Sequence, residues 1–125
     1  MKPKKRILLV DDEPAFTRMM KLNLEHNGSY EVRIENDGSK VLATARAFRP
    51  DLIFLDVIMP DIDGGQVASD LRTDPTLEKT PIVFLTAVVS RNEVVQHGDF
   101  IGGQTFLAKP VTVADMLATI EKFAA

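Results

Sequence analysis

The sequence contains no cysteine. Disulfides, thiolate metal sites and cysteine nucleophiles are therefore excluded, and a reducing cytosol is the natural compartment. Long hydrophobic runs are missing too. No stretch approaches the roughly 20 apolar residues that a membrane span needs, and Ile7–Val10 is too short for the apolar region of a secretory signal. The expectation is a soluble, cytoplasmic protein with no membrane partner. Excess positive charge is also lacking. A net charge of −3 and a pI of about 5.3 argue against a nucleic-acid surface. The one basic cluster, Lys2, Lys4, Lys5 and Arg6, reads as a solvated lead-in to the first strand. There is no G-x-x-x-x-G-K-[ST] loop to cradle a nucleotide phosphate. Gly64-Gly65 and Gly102-Gly103 read as turns, and the isolated His26 and His97 as helix-surface residues rather than metal ligands or phosphodonors.

What is present fits one domain over residues 1–125, long enough to bury about two-thirds of its unfolded surface in a single core. Apolar residues make up 45% and charged residues 26%, as in an ordinary globular domain. Three unbroken apolar runs stand out: Ile7–Val10, Leu52–Leu55 and Ile82–Leu85. Runs without alternation fit strands covered on both faces, as in a parallel sheet. Tyr30–Ile34 alternates and reads as a strand nearer an edge, and Thr105–Ala108 is a weaker fifth candidate. Helical periodicity fills the gaps. Residues 14–26 open with Pro14 and place Phe16, Met19, Met20 and Leu24 in register; residues 39–48 carry Val41, Leu42, Ala45 and Phe48. Residues 64–72 bring Val67 and Leu71 together. Ser90 with Glu93 matches a capping box for a fourth helix, which Gly98 interrupts. Thr112 and Asp115 open a fifth, with Val113, Met116, Leu117, Ile120 and Phe123 as its stripe. Such β-α alternation predicts an α/β fold: a five-stranded parallel sheet in three layers, with helices on both faces.

In an open parallel sheet, ligands collect beyond the carboxyl ends of the strands. The residues predicted there are Asp11-Asp12-Glu13 after strand one, Asp56 after strand three, Thr86 after strand four and Lys109-Pro110 after strand five. Taken singly, each has an ordinary reading: a helix cap, a loop residue, a strand residue, a surface lysine. Together they would crowd like charges, which raises carboxylate pKa values and weakens a fold unless a cation answers them. Lys109 supplies one cation. A hard divalent ion such as Mg²⁺, which takes a few carboxylates plus water and phosphate oxygens, would supply another. A site of this kind can gather phosphoryl oxygens and present a carboxylate nucleophile.

The stretches Val10-Asp11-Asp12-Glu13-Pro14, Asp51 through Pro60, Asp63-Gly64, Pro81 through Ala87, and Gly102 through Pro110 stand in an order and spacing that resembles the response-regulator receiver domain. The resemblance covers essentially the whole chain. It implies a flavodoxin-like fold with strand order 2-1-3-4-5, and a phosphorelay switch rather than a metabolic enzyme. Asp56 would be the phosphoacceptor. Asp11, Asp12 and Asp56, with the backbone carbonyl of Ile58, would hold Mg²⁺. Lys109 would pair with phosphoryl oxygens, and Lys109-Pro110 would be a cis peptide. Thr86 and Phe106 would form the switch. The implied partners are a histidine kinase or histidine phosphotransfer protein upstream, and a downstream protein or an output domain. Gly103 departs from the family's common alanine, and residues 94–101 are irregular, which bears on the output face rather than the acidic rim. Ile58 and Val88, two residues past Asp56 and Thr86, would flank the phosphoryl group.

Three rival readings compete. A phosphorylation-independent interaction module would keep the fold but lose the acid cluster, Thr86 or Lys109, all of which are present. An aspartyl-phosphate phosphatase wants a second aspartate two residues after its nucleophile, where Ile58 stands, and usually a cap domain for which there is no room. A flavin or nucleotide binder lacks its phosphate loop.

Overall fold

The apolar runs become the long strands of one sheet. A computed structural model of the protein describes residues 4–26, 28–59, 62–86, 100–101 and 104–124. Its long strands are β1 (Lys5–Val10), β2 (Tyr30–Glu35), β3 (Leu52–Asp56), β4 (Ile82–Thr86) and β5 (Gln104–Ala108). All pair in parallel, in the order β2-β1-β3-β4-β5. Two pieces lay below the reach of periodicity. A two-residue strand, Phe100–Ile101, adds antiparallel to the outer edge of β5, and Ile58–Met59 pairs antiparallel with Ile62–Asp63 just after β3. The fourth helix expected from Ser90 and Glu93, together with Val88, His97 and Gly102-Gly103, falls outside the described residues.

The chain steps outward from β1 to β2, then back past β1 to β3, β4 and β5. Crossovers of one hand place helices made before and after that reversal on opposite faces. Accordingly, the crossover helix α1 (Pro14–Glu25) covers one face and α2 (Val41–Phe48) and α3 (Gly64–Thr73) the other, while α4 (Val113–Phe123), which follows the last strand and is no crossover, packs on the α1 face. The strands divide their side chains with period two. Ile7, Leu9, Leu52, Phe54, Val83 and Leu85 meet Met20, Leu24, Met116 and Ile120. Leu8, Val10, Ile53, Leu55, Ile82 and Phe84 meet Val41, Ala45, Phe48, Val67 and Leu71.

Local choices differ from the sequence reading in three places. In α1 the buried line is Thr17, Met20 and Leu24, while Met19 is 44% exposed. At 3.6 residues per turn, one step from Met20 swings a side chain about 100° off that line. Residues 38–40 form a 3₁₀ turn capped by Asp37, so α2 itself starts at Val41. Gly64 and Gly65 are not a turn but the first residues of α3, capped by the Asp63 carboxylate at 2.8 Å from the Gly65 N–H. A Cβ on Gly64 would lie 2.5 Å from the Val57 Cα and 3.0 Å from the Asp56 carbonyl oxygen. Glycine lets this helix start press directly on the backbone that carries Asp56. At α4, the Thr112 hydroxyl accepts from the Asp115 N–H and the Asp115 carboxylate accepts from the Thr112 N–H, a complete capping box.

A polar tie joins the helices of the second face. The buried Asp74 carboxylate accepts from the Thr76 hydroxyl at 2.7 Å and the Thr76 N–H at 2.9 Å, and pairs with Arg46 of α2. The Thr76 hydroxyl first, and then the Arg46 guanidinium, lower its pKa from 3.8 to about 2. A depressed folded-state pKa stabilises the fold above the unfolded value, and that contribution is lost as pH falls through the folded one. Asp74→Asn is therefore expected to be less stable than wild type at neutral pH, with the gap closing as pH falls from 3.8 towards about 2. Urea melts across that range check it; a gap that does not narrow would contradict the tie.

Candidate functional site

Parallel register sends the carboxyl ends of β1, β3, β4 and β5 to one edge, with Val10 opposite Leu55, Asp56 opposite Leu85 and Thr86 opposite Ala108. The polar residues that end these strands collect there. Asp11, Asp12 and Asp56 each offer a carboxylate oxygen, all within 4.8 Å of one another. Asp11 is fully buried and Asp56 is 3% exposed, whereas Asp12 is half-buried. Asp11 continues the parity of Ile7 and Leu9, and Asp56 that of Leu52 and Phe54, so both follow the rows packed under α1 and α4.

The Lys109 ammonium enters from the end of β5. It stands 2.7 Å from Asp11 Oδ2, 3.3 Å from Asp56 Oδ2 and 3.7 Å from Glu13 Oε1. Asp11 Oδ1 accepts from the Glu13 N–H at 3.0 Å. Asp11 Oδ2 is buried and holds the ammonium by charge, without a well-aligned hydrogen bond. Burial pushes the Asp11 carboxyl above its ordinary value; the ammonium and the Glu13 N–H offset this only in part, and the Asp56 charge adds to it. Burial alone would lower the Lys109 pKa, but Asp11 and Asp56 outweigh it and hold the ammonium above its ordinary value. Hard oxygens converging on one point, one of them buried and incompletely hydrogen-bonded, suit a divalent cation with oxygen ligands. This cluster could hold such an ion.

The other residues named from the sequence are distributed around this mouth. Thr86 is 1% exposed at the end of β4, and its carbonyl accepts from the Lys109 N–H at 2.9 Å. Phe106 lies on the opposite face of the sheet, half-buried, its ring stacked on Phe84 at 5.3 Å between centroids. The Lys109–Pro110 peptide is cis. Ile58 opens the short hairpin just past Asp56. Periodicity gave no hint of two further features. The Asn36 amide donates to the Asp11 carbonyl at 2.7 Å and to the buried Thr17 hydroxyl at 3.0 Å, pinning the acidic loop between β1 and α1. Phe16 lays its ring 5.5 Å from the Lys109 ammonium; from spacing alone it reads only as part of a helix stripe. Glu13, the third acid of the run that follows β1, also comes to this mouth, 3.7 Å from the Lys109 ammonium.

The raised Asp11 pKa has a stability consequence. Folded Asp11 keeps its proton to higher pH than unfolded Asp11, so the fold loses stability as pH rises from 3.8 through the folded value. Asparagine does not titrate. With divalent ions chelated, the stability of Asp11→Asn relative to wild type is expected to grow as pH rises from 3.8 through the folded value. Denaturant midpoints across that range check it, and a difference independent of pH would contradict the placement of this charge.

Comparison with known proteins agrees with the geometry. The family described as the response regulator receiver domain matches residues 7–121. The DNA-binding dual master transcriptional regulator RpaA of Synechocystis sp. is 39% identical over 115 residues, covering 92% of this chain and 47% of that protein. The response regulator PleD of Caulobacter vibrioides is 40% identical over 117 residues, 92% of this chain and 25% of its own length. The chain thus spans about half, or less, of the length of these relatives. Among solved structures, the chemotaxis protein CheY4 of Vibrio cholerae superposes with a TM-score of 0.80 at 29% identity, covering 97% of this chain and 99% of that one. A response regulator from Chloroflexus aurantiacus, described as putative, gives 0.80 at 28% identity and 98% coverage of both chains. Family match, fold and acidic mouth coincide, and the chain belongs to the response-regulator receiver domain family.

Proposed function

We propose that this receiver accepts a phosphoryl group on Asp56, with Mg²⁺ held by Asp11, Asp12, Asp56 and the backbone carbonyl of Ile58. The observation that carries this reading is the Lys109 ammonium set between Asp11 at 2.7 Å and Asp56 at 3.3 Å, at the end of a parallel sheet. A carboxylate oxygen of Asp56 attacks the phosphorus of a phosphohistidine. The P–N bond breaks with its electron pair left on the imidazole nitrogen, and the leaving imidazole takes a proton from solvent. Mg²⁺, when bound, offsets the negative charge gathered on the oxygens. Lys109 offers its ammonium to a phosphoryl oxygen, and the crowded carboxylates make a neutralising cation a condition of the chemistry.

The donor in this reading is a histidine kinase or a histidine phosphotransfer protein in the cytoplasm. Residues 1–125 act as one switch unit, and neither nucleic acid nor membrane is a partner of this domain. Thr86 hydrogen-bonds a phosphoryl oxygen, and Phe106 turns from its place on Phe84 towards the space that Thr86 leaves. Two packings of the pair differ in their affinity for the phosphoryl group, and the surface reports which one is populated. The downstream reader is a protein target or an output domain. The domain promotes its own phosphorylation and its own hydrolysis without turning over a metabolite.

Incubation with acetyl phosphate and Mg²⁺, followed by intact mass, tests this directly. Wild type is expected to gain one phosphoryl group and Asp56→Asn none. An unmodified wild type would favour a phosphorylation-independent interaction module, and sustained hydrolysis of a generic phosphomonoester would favour a phosphatase. From sequence position, apolar Ile58 and Val88 keep water from the aspartyl phosphate, so Ile58→Asn is expected to change the rate of autodephosphorylation. Equal decay of phosphorylated wild type and variant would discard that role.

A further inference from the structure

We infer that Phe16 is a positioning residue for Lys109 in phosphoryl transfer, its ring face fixing where the ammonium stands between Asp11 and Asp56. The inference rests on the reading of Asp56 as phosphoacceptor and goes beyond it. Lysine is a compact point charge on a flexible stem, without the fork that orients an arginine. Lys109 faces three carboxylates at unequal distances, 2.7 Å, 3.3 Å and 3.7 Å, and none of these alone fixes it over Asp56. The Glu13 side chain is 65% exposed, so solvent weakens its pull.

Phe16 supplies a different kind of wall. Its ring lies 5.5 Å from the ammonium, within the range at which the negative face of an aromatic ring attracts a cation. The ring stands in the first turn of α1, three residues after Glu13, partly buried and packed against the core of the α1 and α4 face. Packing therefore fixes the ring, and the ring in turn limits the ammonium. It also covers one side of Lys109 with apolar surface, which strengthens the remaining attraction to oxygen. Leucine at this position would keep core volume but remove the ring quadrupole; tyrosine would keep both.

The test compares wild type, Phe16→Leu and Phe16→Tyr at saturating Mg²⁺. The rate constant for phosphorylation by acetyl phosphate is read by intact mass, the ring-current shift of the Lys109 ε protons by NMR, and folding by thermal melts. Phe16→Leu is expected to slow phosphorylation roughly twofold to fivefold, the change that a solvent-accessible cation–π contact converts to, and to lose the ring-current shift. Phe16→Tyr is expected to retain both. The inference is overturned if wild type is phosphorylated and Phe16→Leu reacts at the same rate. It is equally overturned if both variants slow in proportion to a loss of thermal stability. A wild type that takes no phosphoryl group overturns the phosphoacceptor reading, and this inference with it.

Discussion

The ammonium of Lys109 is the contact on which the acidic mouth depends. Three aspartates whose oxygens lie within 4.8 Å of one another repel, and two of the three are buried. Lys109 makes the cluster compatible with folding, since it reaches Asp11 and Asp56 at once. It does not complete the neutralisation. Burial still holds Asp11 above its ordinary pKa, and one Asp11 oxygen has charge as its partner rather than a well-formed hydrogen bond. An incompletely neutralised pocket of hard oxygens could hold a cation, and in our reading a cation bound there invites an anion. In our reading the phosphoryl group is that anion.

Everything else in the fold can be seen as the means of bringing one cation to three anions. Parallel pairing sends four strand ends to the same edge, and the period of two selects which side chains meet there. Asp11 and Asp56 follow the rows that α1 and α4 cover. Asn36 reaches across from the end of β2 to pin the loop that carries Asp11. From the opposite side of the strand end, Gly64 lets α3 press against the backbone at Asp56 and Val57, where any side chain would collide. These supports come from elements far apart in sequence, and each acts on backbone rather than on a carboxylate. Thr86 and Phe106 belong to the other face, the one that α2 and α3 cover.

Much of this was legible in the sequence. Unbroken apolar runs announced the central strands, because burial on both faces removes alternation. The polar residues that stop those runs could be assigned to one rim as soon as the sheet was taken to be parallel. Thr112 and Asp115 announced their helix for a local reason, since capping is settled within one turn. What escaped notice depended on tertiary contact. Met19, expected in the apolar stripe, turns outward and Thr17 is buried instead, because one-residue offsets decide burial on a helix and packing, not composition, sets the offset. Gly64 looked like a turn because its need for close approach exists only once β3 and α3 are side by side. Phe16 looks like an ordinary helix residue until Lys109, some ninety positions away, arrives beside it, and Asn36 looks like an ordinary loop residue until pairing of β2 with β1 brings the Asp11 carbonyl within its reach. The two-residue strands are too short to carry any period.

The most direct test of this account is a titration of wild type with Mg²⁺, followed through its amide NMR spectrum. A single saturable transition is expected, with the largest shifts at residues 11–13 and 56–58, and it should weaken sharply in Asp11→Asn. Mg²⁺ that left those amides unmoved, or shifted the acidic groove of Asp63 and Asp70 instead, would contradict the claim that the mouth around Lys109 is a charge cluster waiting for a cation.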